Sequence, residues 1–294
     1  MDIEKIKQNK SVQELLEFGI VNINKPSGPT SFNVSDFIRN QLNARKTSHF
    51  GTLDPKVTGV LPIAINRGCK LTGFFLGEDK EYVGIMKIHR VLPLKEIKKK
   101  IKENFTGKIM QLPPKKSRVK RQVREREIKN FEIIEKGEKN ILFRVACQGG
   151  TYVRKLIYDL GESLGIGAHM LELRRIRAGI FNEKDEKYPS INLYEFEKIV
   201  EEYKNGNDAN LKKILIPGEI ITELYPIIQI KKEFVNKILK GCPIYSEHLE
   251  RKRDEKNIGK FCAFHEERFI GIYRIIKEGG VFARPEFVFQ PVSN

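Results

Sequence analysis

Residues 48–65 read SHFGTLDPKVTGVLPIAI, a polar loop framed by Gly51 and Gly59 that runs directly into an apolar segment of strand length, residues 60–65. Asp54 precedes Pro55, and the proline ring disfavours helical backbone at the residue before it, so the carboxylate is expected on a projecting turn. Alone, the spacing carries little, because Asp-Pro is a common turn opener.

Upstream, residues 20–24 read as a short strand, and residues 31–44 as a helix with Val34, Phe37, Ile38 and Leu42 on one face and Ser31 as the cap. Downstream, residues 79–90 place Tyr82, Met86 and Ile88 on one strand face. Residues 141–147 do the same with Ile141, Phe143, Val145 and Cys147. A basic helix between them fits Leu94, Ile97, Ile101 and Phe105. From Thr151, a candidate cap, the apolar spacing Val153, Leu156, Ile157, Leu160 and Leu164 returns to a helical period that Gly165 stops. The pattern predicts an α+β fold with a mixed sheet, not a repeating βαβ array. The polar stretch KNGNDAN, residues 204–210, followed by Pro217 and Gly218, reads as a boundary between domains 1–218 and 219–294. Beyond it, Phe234, Val235, Ile238 and Leu239 fit one helix, and residues 260–265, 268–276 and 281–289 read as three strands of a small, mainly β module.

Lys and Arg number 54 in 294 residues against 38 Asp and Glu, an excess of +16 that favours a polyanionic partner, nucleic acid ahead of an anionic membrane surface. The longest apolar runs fall far short of the ~18–20 residues that span a bilayer. The opening MDIEKIKQNK has no apolar core of a secretory signal, so an intracellular protein is expected. Cys69, Cys147, Cys242 and Cys262 form no C-x-x-C pair, and the five histidines no H-x-x-x-H pair, so no metal site is read. Phosphate-loop and dinucleotide fingerprints are missing as well. The densest charge cluster is KKSRVKRQVREREIK, residues 115–129, with eight Lys or Arg against two Glu. Its spacing interleaves Val119, Val123 and Ile128 with cations, a row of donors suited to a phosphate backbone, and Lys115, Lys116, Arg118, Lys120, Arg121 and Arg124 are its candidate RNA contacts. Arg174, Arg175 and Arg177 are expected to extend that face.

Five separated blocks occur in one order: Asn24-Lys25-Pro26-Ser27-Gly28-Pro29-Thr30-Ser31, Gly51-Thr52-Leu53-Asp54-Pro55 through Gly59-Val60-Leu61, Lys80-Glu81-Tyr82, Gly150-Thr151-Tyr152-Val153-Arg154, and Gly167-Ala168-His169-Met170 with Leu173-Arg174-Arg175. Together they resemble the motifs of the TruB and dyskerin family of RNA pseudouridine synthases, over about residues 20 to 185. The tail beyond 219 is more faintly similar to the PUA RNA-binding domain that follows the catalytic domain in that family. Pro113-Pro114, Ser117, Val119-Lys120-Arg121, Arg124 and Arg126 resemble the dyskerin branch, particularly its archaeal members, which are the catalytic subunits of H/ACA guide-RNA particles.

The resemblance implies isomerisation of uridine to pseudouridine in rRNA or tRNA, with no cofactor and no metal. Asp54 matches the essential aspartate, either nucleophile at C1′ or base at C2′, in a pocket expected to exclude water. Arg154 matches its cationic partner, Tyr82 the ring against the target base, Leu173 the apolar wall opposite, and His49 an RNA contact near the flipped nucleotide. Lys25 and Pro26 match a supporting motif under the catalytic loop. Implied partners are substrate RNA, an H/ACA guide RNA and the small H/ACA particle proteins, in the cytoplasm of an archaeon or the nucleolus and nucleus of a eukaryote. A stand-alone tRNA synthase of the TruB type and a non-catalytic RNA-binding assembly protein are the alternatives. Phe50, where a small residue is usual, Gln148-Gly149 in place of Glu-Ala, and Arg118 in place of alanine depart from the pattern.

Overall fold

The computed structural model describes residues 2–114, 119–251 and 259–290. The chain packs into two units, Leu16–Leu215 and a second made of Met1–Leu15 with Ile216–Asn294. Two short helices open the chain, α1 (Ile3–Asn9) and α2 (Val12–Glu17). The larger unit continues with β1 (Phe18–Lys25), α3 (Ser31–Gln41), β2 (Thr47–His49), β3 (Thr58–Asn66), α4 (Thr72–Leu76), β4 (Lys80–Ile88), α5 (Leu94–Asn104) and β5 (Gly107–Gln111). It then forms β6 (Arg124–Lys136), β7 (Asn140–Cys147), α6 (Val153–Ser163), β8 (Ala168–Ala178), β9 (Phe181–Asn182), α7 (Leu193–Lys204) and α8 (Ala209–Ile214).

Its strands make a mixed sheet in the order β1-β3-β8-β4-β7-β6-β5, with β2 added to β3 and β9 to β8. β1 and β3 are buried along nearly their whole length, as befits strands covered on two faces. β4 alternates instead, burying Lys80, Tyr82, Gly84, Met86 and Ile88, the period of a strand with one core face. The strand registers put Lys25 opposite Gly59, Gly59 opposite Arg175, and Arg175 opposite Tyr82, so one lateral row crosses β1, β3, β8 and β4. The β3–β8 junction is parallel and short, with Thr58 opposite Arg174 and Gly59 opposite Arg175. It joins the loop before β3 to the far half of the sheet.

Several local expectations shift. Thr30, not Ser31, caps α3 through a capping box with Asn33, which frees Ser31 for another partner. Tyr152 flanks α6 without a side-chain cap, because the Thr151 hydroxyl bonds the Gln148 carbonyl instead. The basic segment is not one strand: β6 begins at Arg124, Val119 and Val123 are exposed ahead of it, and residues 115–118 lie outside the described residues. Residues 205–208 only turn the chain between α7 and α8, with Gly206 at φ +94.

β10 (Leu215–Pro217) lies at the division between the units, and the smaller unit then holds β11 (Ile227–Gln229), α9 (Lys232–Leu239), β12 (Ile244–Tyr245), β13 (Lys260–His265), β14 (Arg268–Glu278) and β15 (Val281–Val288). The last five strands form a sheet in the order β11-β13-β14-β15-β12 around Ile238, Phe261, Ile270, Tyr273 and Ala283. The sequence placed residues 1–15 with the first domain and the division at 218. Packing groups those residues with the smaller unit, where Lys5 and Lys10 pair with Glu267 (2.6 Å) and Glu219 (2.5 Å), and Ile3, Ile6, Val12 and Leu15 are buried. No helix among the described residues is long and apolar enough to cross a membrane. The four cysteines are free, Cys147 and Cys262 buried.

Candidate active site

Asp54 stands on the loop between β2 and β3, and three neighbours hold that loop by its backbone. Ser31 Oγ accepts from Leu53 N (2.7 Å) and donates to the Leu53 carbonyl (2.9 Å), clamping the residue before Asp54 to the start of α3. Lys25, with no exposed surface, donates its Nζ to the carbonyls of Pro26 (2.8 Å), Pro55 (3.0 Å) and Val57 (2.9 Å). A buried ammonium is tolerated only when its donors are satisfied, and this one spends two of its three on the turn that carries Asp54. Val57 N and Gly28 N close the turn onto the carbonyls of Asp54 and Pro55, both at 2.9 Å.

Arg154 is the second residue of α6, whose buried face is Val153, Leu156, Ile157 and Leu160. That face presses so closely on β8 that a Cβ on Gly161 would fall 2.1 Å from Ala168 N, which fixes the helix and leaves Arg154 pointing outward. Its guanidinium pairs with the Asp54 carboxylate across 100 residues of sequence. The two side chains are 63% and 50% exposed. The expected water-excluding pocket is therefore corrected: the pair lies at an open surface, where it adds little to folding. Its worth is geometric.

Tyr82 and Leu173 lie on the adjacent strands β4 and β8, both buried at 7% and 8% exposure. Gly84 makes room between them, since a Cβ there would meet Leu173 Cδ1 and Phe143 Cζ at 2.9 Å. Burial pushes the Tyr82 hydroxyl above its ordinary pKa, so it stays a neutral donor. His49 on β2 is partly buried, and its Nδ1 has no hydrogen-bond partner among the described residues. Burial, helped by the charge of Arg175, lowers its pKa and keeps the imidazole neutral at pH 7. Phe50 fills the space under the loop, stacked on Phe75 at 4.6 Å and tilted against Phe181. Gly149 is required where it stands, because a Cβ would come 2.4 Å from the Leu76 carbonyl.

Of the candidate RNA contacts, Lys120 and Arg121 are exposed, Arg124 is partly buried, and Lys115, Lys116 and Arg118 lie outside the described residues. Arg126 and Lys129 are engaged within the fold, with the Gly150 carbonyl and with Asp79. The run at 174–177 does not form a basic face: Arg174 pairs with Glu183 (2.8 Å), Arg177 with Glu81 (3.3 Å), and Arg175 is 1% exposed. Strand alternation puts Arg175 on the face of Leu173, and that period was the signal available in the sequence.

Lys80, missed as well, is 4% exposed and donates to the carbonyls of Phe75 (3.1 Å), Leu76 (3.4 Å) and Glu78 (2.6 Å). Burial, with Arg175 beside it, lowers its pKa from 10.5 to about 8. Below pH 8 the ammonium is protonated in folded and unfolded chains alike and its penalty is constant. Between about 8 and 10.5 the unfolded chain holds a proton the folded one has released, so stability rises with pH, by about 3 kcal/mol over the window. Denaturant unfolding at stepped pH should show this rise in the wild type and lose it in Lys80→Met; equal slopes would refute the assignment.

A model of the TruB family pseudouridylate synthase N-terminal domain matches residues 39–153, and one of the tRNA pseudouridylate synthase B C-terminal domain matches residues 154–222. A probable tRNA pseudouridine synthase B of Methanocaldococcus jannaschii is 41% identical over 253 residues, 85% of this chain and 73% of that one. Its counterpart in Methanococcus aeolicus is 45% identical over 239 residues, 81% of this chain and 70% of the other. Among solved structures, a Cbf5-Nop10-Gar1 complex superposes with a TM-score of 0.85 at 33% identity, covering 97% of this chain and 89% of that one. An H/ACA RNP bound to a substrate RNA containing 2′-deoxyuridine follows at 0.83 and 31%, with 97% and 89% covered. With this identity spread over most of both chains, and the ordered motifs gathered around one ion pair, the chain belongs to the TruB family of pseudouridylate synthases.

Proposed function

We propose that this protein isomerises uridine to pseudouridine in RNA at Asp54, under the direction of an H/ACA guide RNA. The observation that supports it best is the Asp54–Arg154 ion pair, carried on the loop that leads into the four-strand row ending at Tyr82. The reaction breaks N1–C1′, turns the freed uracil, and forms C5–C1′, the proton lost from C5 being balanced by one taken up at N1. Asp54 acts as a carboxylate, adding to C1′ or removing the C2′ proton, and Arg154 holds it ionised and aimed. The extruded base lies against Tyr82 with Leu173 as the opposite wall, and its own ring completes the enclosure that the open surface lacks. Extrusion costs a few kcal/mol, offset by phosphate contacts from Lys120, Arg121 and Arg124 together with Lys115, Lys116 and Arg118. His49, neutral and partly buried, contacts the RNA beside the flipped nucleotide.

Lys25, with Pro26, supports the loop. The smaller unit serves as a PUA-like module for guide or tRNA, and the domains divide near residue 219. Guided action draws support from the likeness to the Cbf5-Nop10-Gar1 and substrate-bound H/ACA structures. A stand-alone tRNA activity draws support from the relatives named tRNA pseudouridine synthase B. Relatives from methanogens favour the cytoplasm as the place of action. Reconstitution separates the two readings. On an rRNA target, guide RNA and the small particle proteins should raise the initial rate of pseudouridine formation at least about tenfold over protein alone. A full rate from protein alone, unchanged by guide, would leave only the stand-alone reading.

A further inference from the structure

Arg175 is among the largest fully buried side chains of the molecule, and its hydrogen bonds go to parts of the site rather than to a carboxylate. Nε donates to the Val60 carbonyl (2.8 Å) and Nη2 to the Gly51 carbonyl (3.0 Å). Those two residues are the feet of the loop that carries Asp54. Tyr82 stands directly opposite Arg175 on the neighbouring strand, and the guanidinium charge acts on its hydroxyl. A planar fork with five fixed donors can serve both loop carbonyls in set directions while its charge stays beside the phenol, whereas an ammonium on a flexible stem cannot. Space around it is tight as well: a Cβ on Gly51 would lie 3.3 Å from Nη1, so the loop foot rests directly on the guanidinium.

We propose that Arg175 is a positioning residue, which sets the separation of the Asp54 carboxylate and the Tyr82 hydroxyl by bracing both feet of the catalytic loop and the phenol at once. This rests on Asp54 and Tyr82 being the reacting groups. Nothing in the fold brings Arg175 to the substrate, so its effect must pass through these two.

Arg175→Lys keeps the charge and removes the fork. The variant should bind substrate RNA within about threefold of wild type while its single-turnover rate falls about 100-fold, the scale of a misplacement near 1 Å. The ¹³Cζ resonance of Tyr82, assigned by its disappearance in Tyr82→Phe, should move in Arg175→Lys. A wild-type rate, or a slow rate with that resonance unmoved, would overturn the proposal, the latter leaving Arg175 a role in folding alone. Should Arg175→Lys not fold, Tyr82→Phe offers the reciprocal measurement: the Arg175 guanidinium nitrogen resonances should shift, and unchanged resonances would overturn it. Asp54→Asn run in parallel separates the failures. Product from Asp54→Asn would sink the site reading itself, while an inactive Asp54→Asn beside a fully active Arg175→Lys would sink only this inference.

Discussion

Gly59→Ala should lower the melting temperature by about 10 °C, a loss of about 4 kcal/mol for a unit of this size, or prevent folding altogether. Gly59 has φ +100, where L side chains are strained, and its Cβ would fall 2.1 Å from the Arg175 carbonyl oxygen. That oxygen belongs to the backbone of β8, so no side-chain rotation relieves the overlap. The strands must part at the junction where the loop bearing Asp54 meets the row of Arg175 and Tyr82. Gly28→Ala is the matched control. Its φ of +115 carries the same backbone penalty, but the space around its Cβ is open, so about 1 kcal/mol is expected. Thermal unfolding of both variants isolates the steric part, and equal melting temperatures for Gly59→Ala and wild type would refute the close parallel junction.

Asp54→Asn should reduce pseudouridine formation by at least about four orders of magnitude while leaving folding and RNA affinity nearly intact. The substitution keeps the shape of the side chain and removes its charge, so neither addition to C1′ nor removal of the C2′ proton remains available. Stability should change by less than about 1 kcal/mol, because the Asp54 side chain is half exposed and an ion pair at such a surface contributes little. Losing one negative charge from a protein of net charge +16 does not weaken its attraction to phosphates, so RNA retention on a filter should stay within about threefold. Loss of binding together with activity would instead make Asp54 part of the RNA-docking surface.

Much of the larger unit was legible because its elements are patterned: β4 and β7 alternate, β3 carries a continuous apolar run, and α5 and α6 show a helical period. The ordered motifs singled out Asp54 and Arg154, which the structure pairs, and Tyr82 and Leu173, which lie buried on adjacent strands. What local pattern cannot show is which charges are inside. Lys25, Lys80 and Arg175 look like solvated cations in sequence, yet each is buried because backbone carbonyls, which are silent in sequence, satisfy it. Exposure of the Asp54–Arg154 pair was equally hidden, since a motif fixes partners and not their depth. Residues 1–15 were misplaced for a similar reason. They find partners more than 200 residues away, as the part-buried Lys10–Glu219 pair shows.

The claim on which the rest depends is that the carboxylate paired with Arg154 carries out the chemistry. It is tested by single-turnover release of tritium from an RNA labelled at C5 of the target uridine, with enzyme in excess and RNA binding verified for each protein. Wild-type protein should release one tritium per target, and Asp54→Asn should release none above background over the same time course. Release from Asp54→Asn at the wild-type rate would contradict the account.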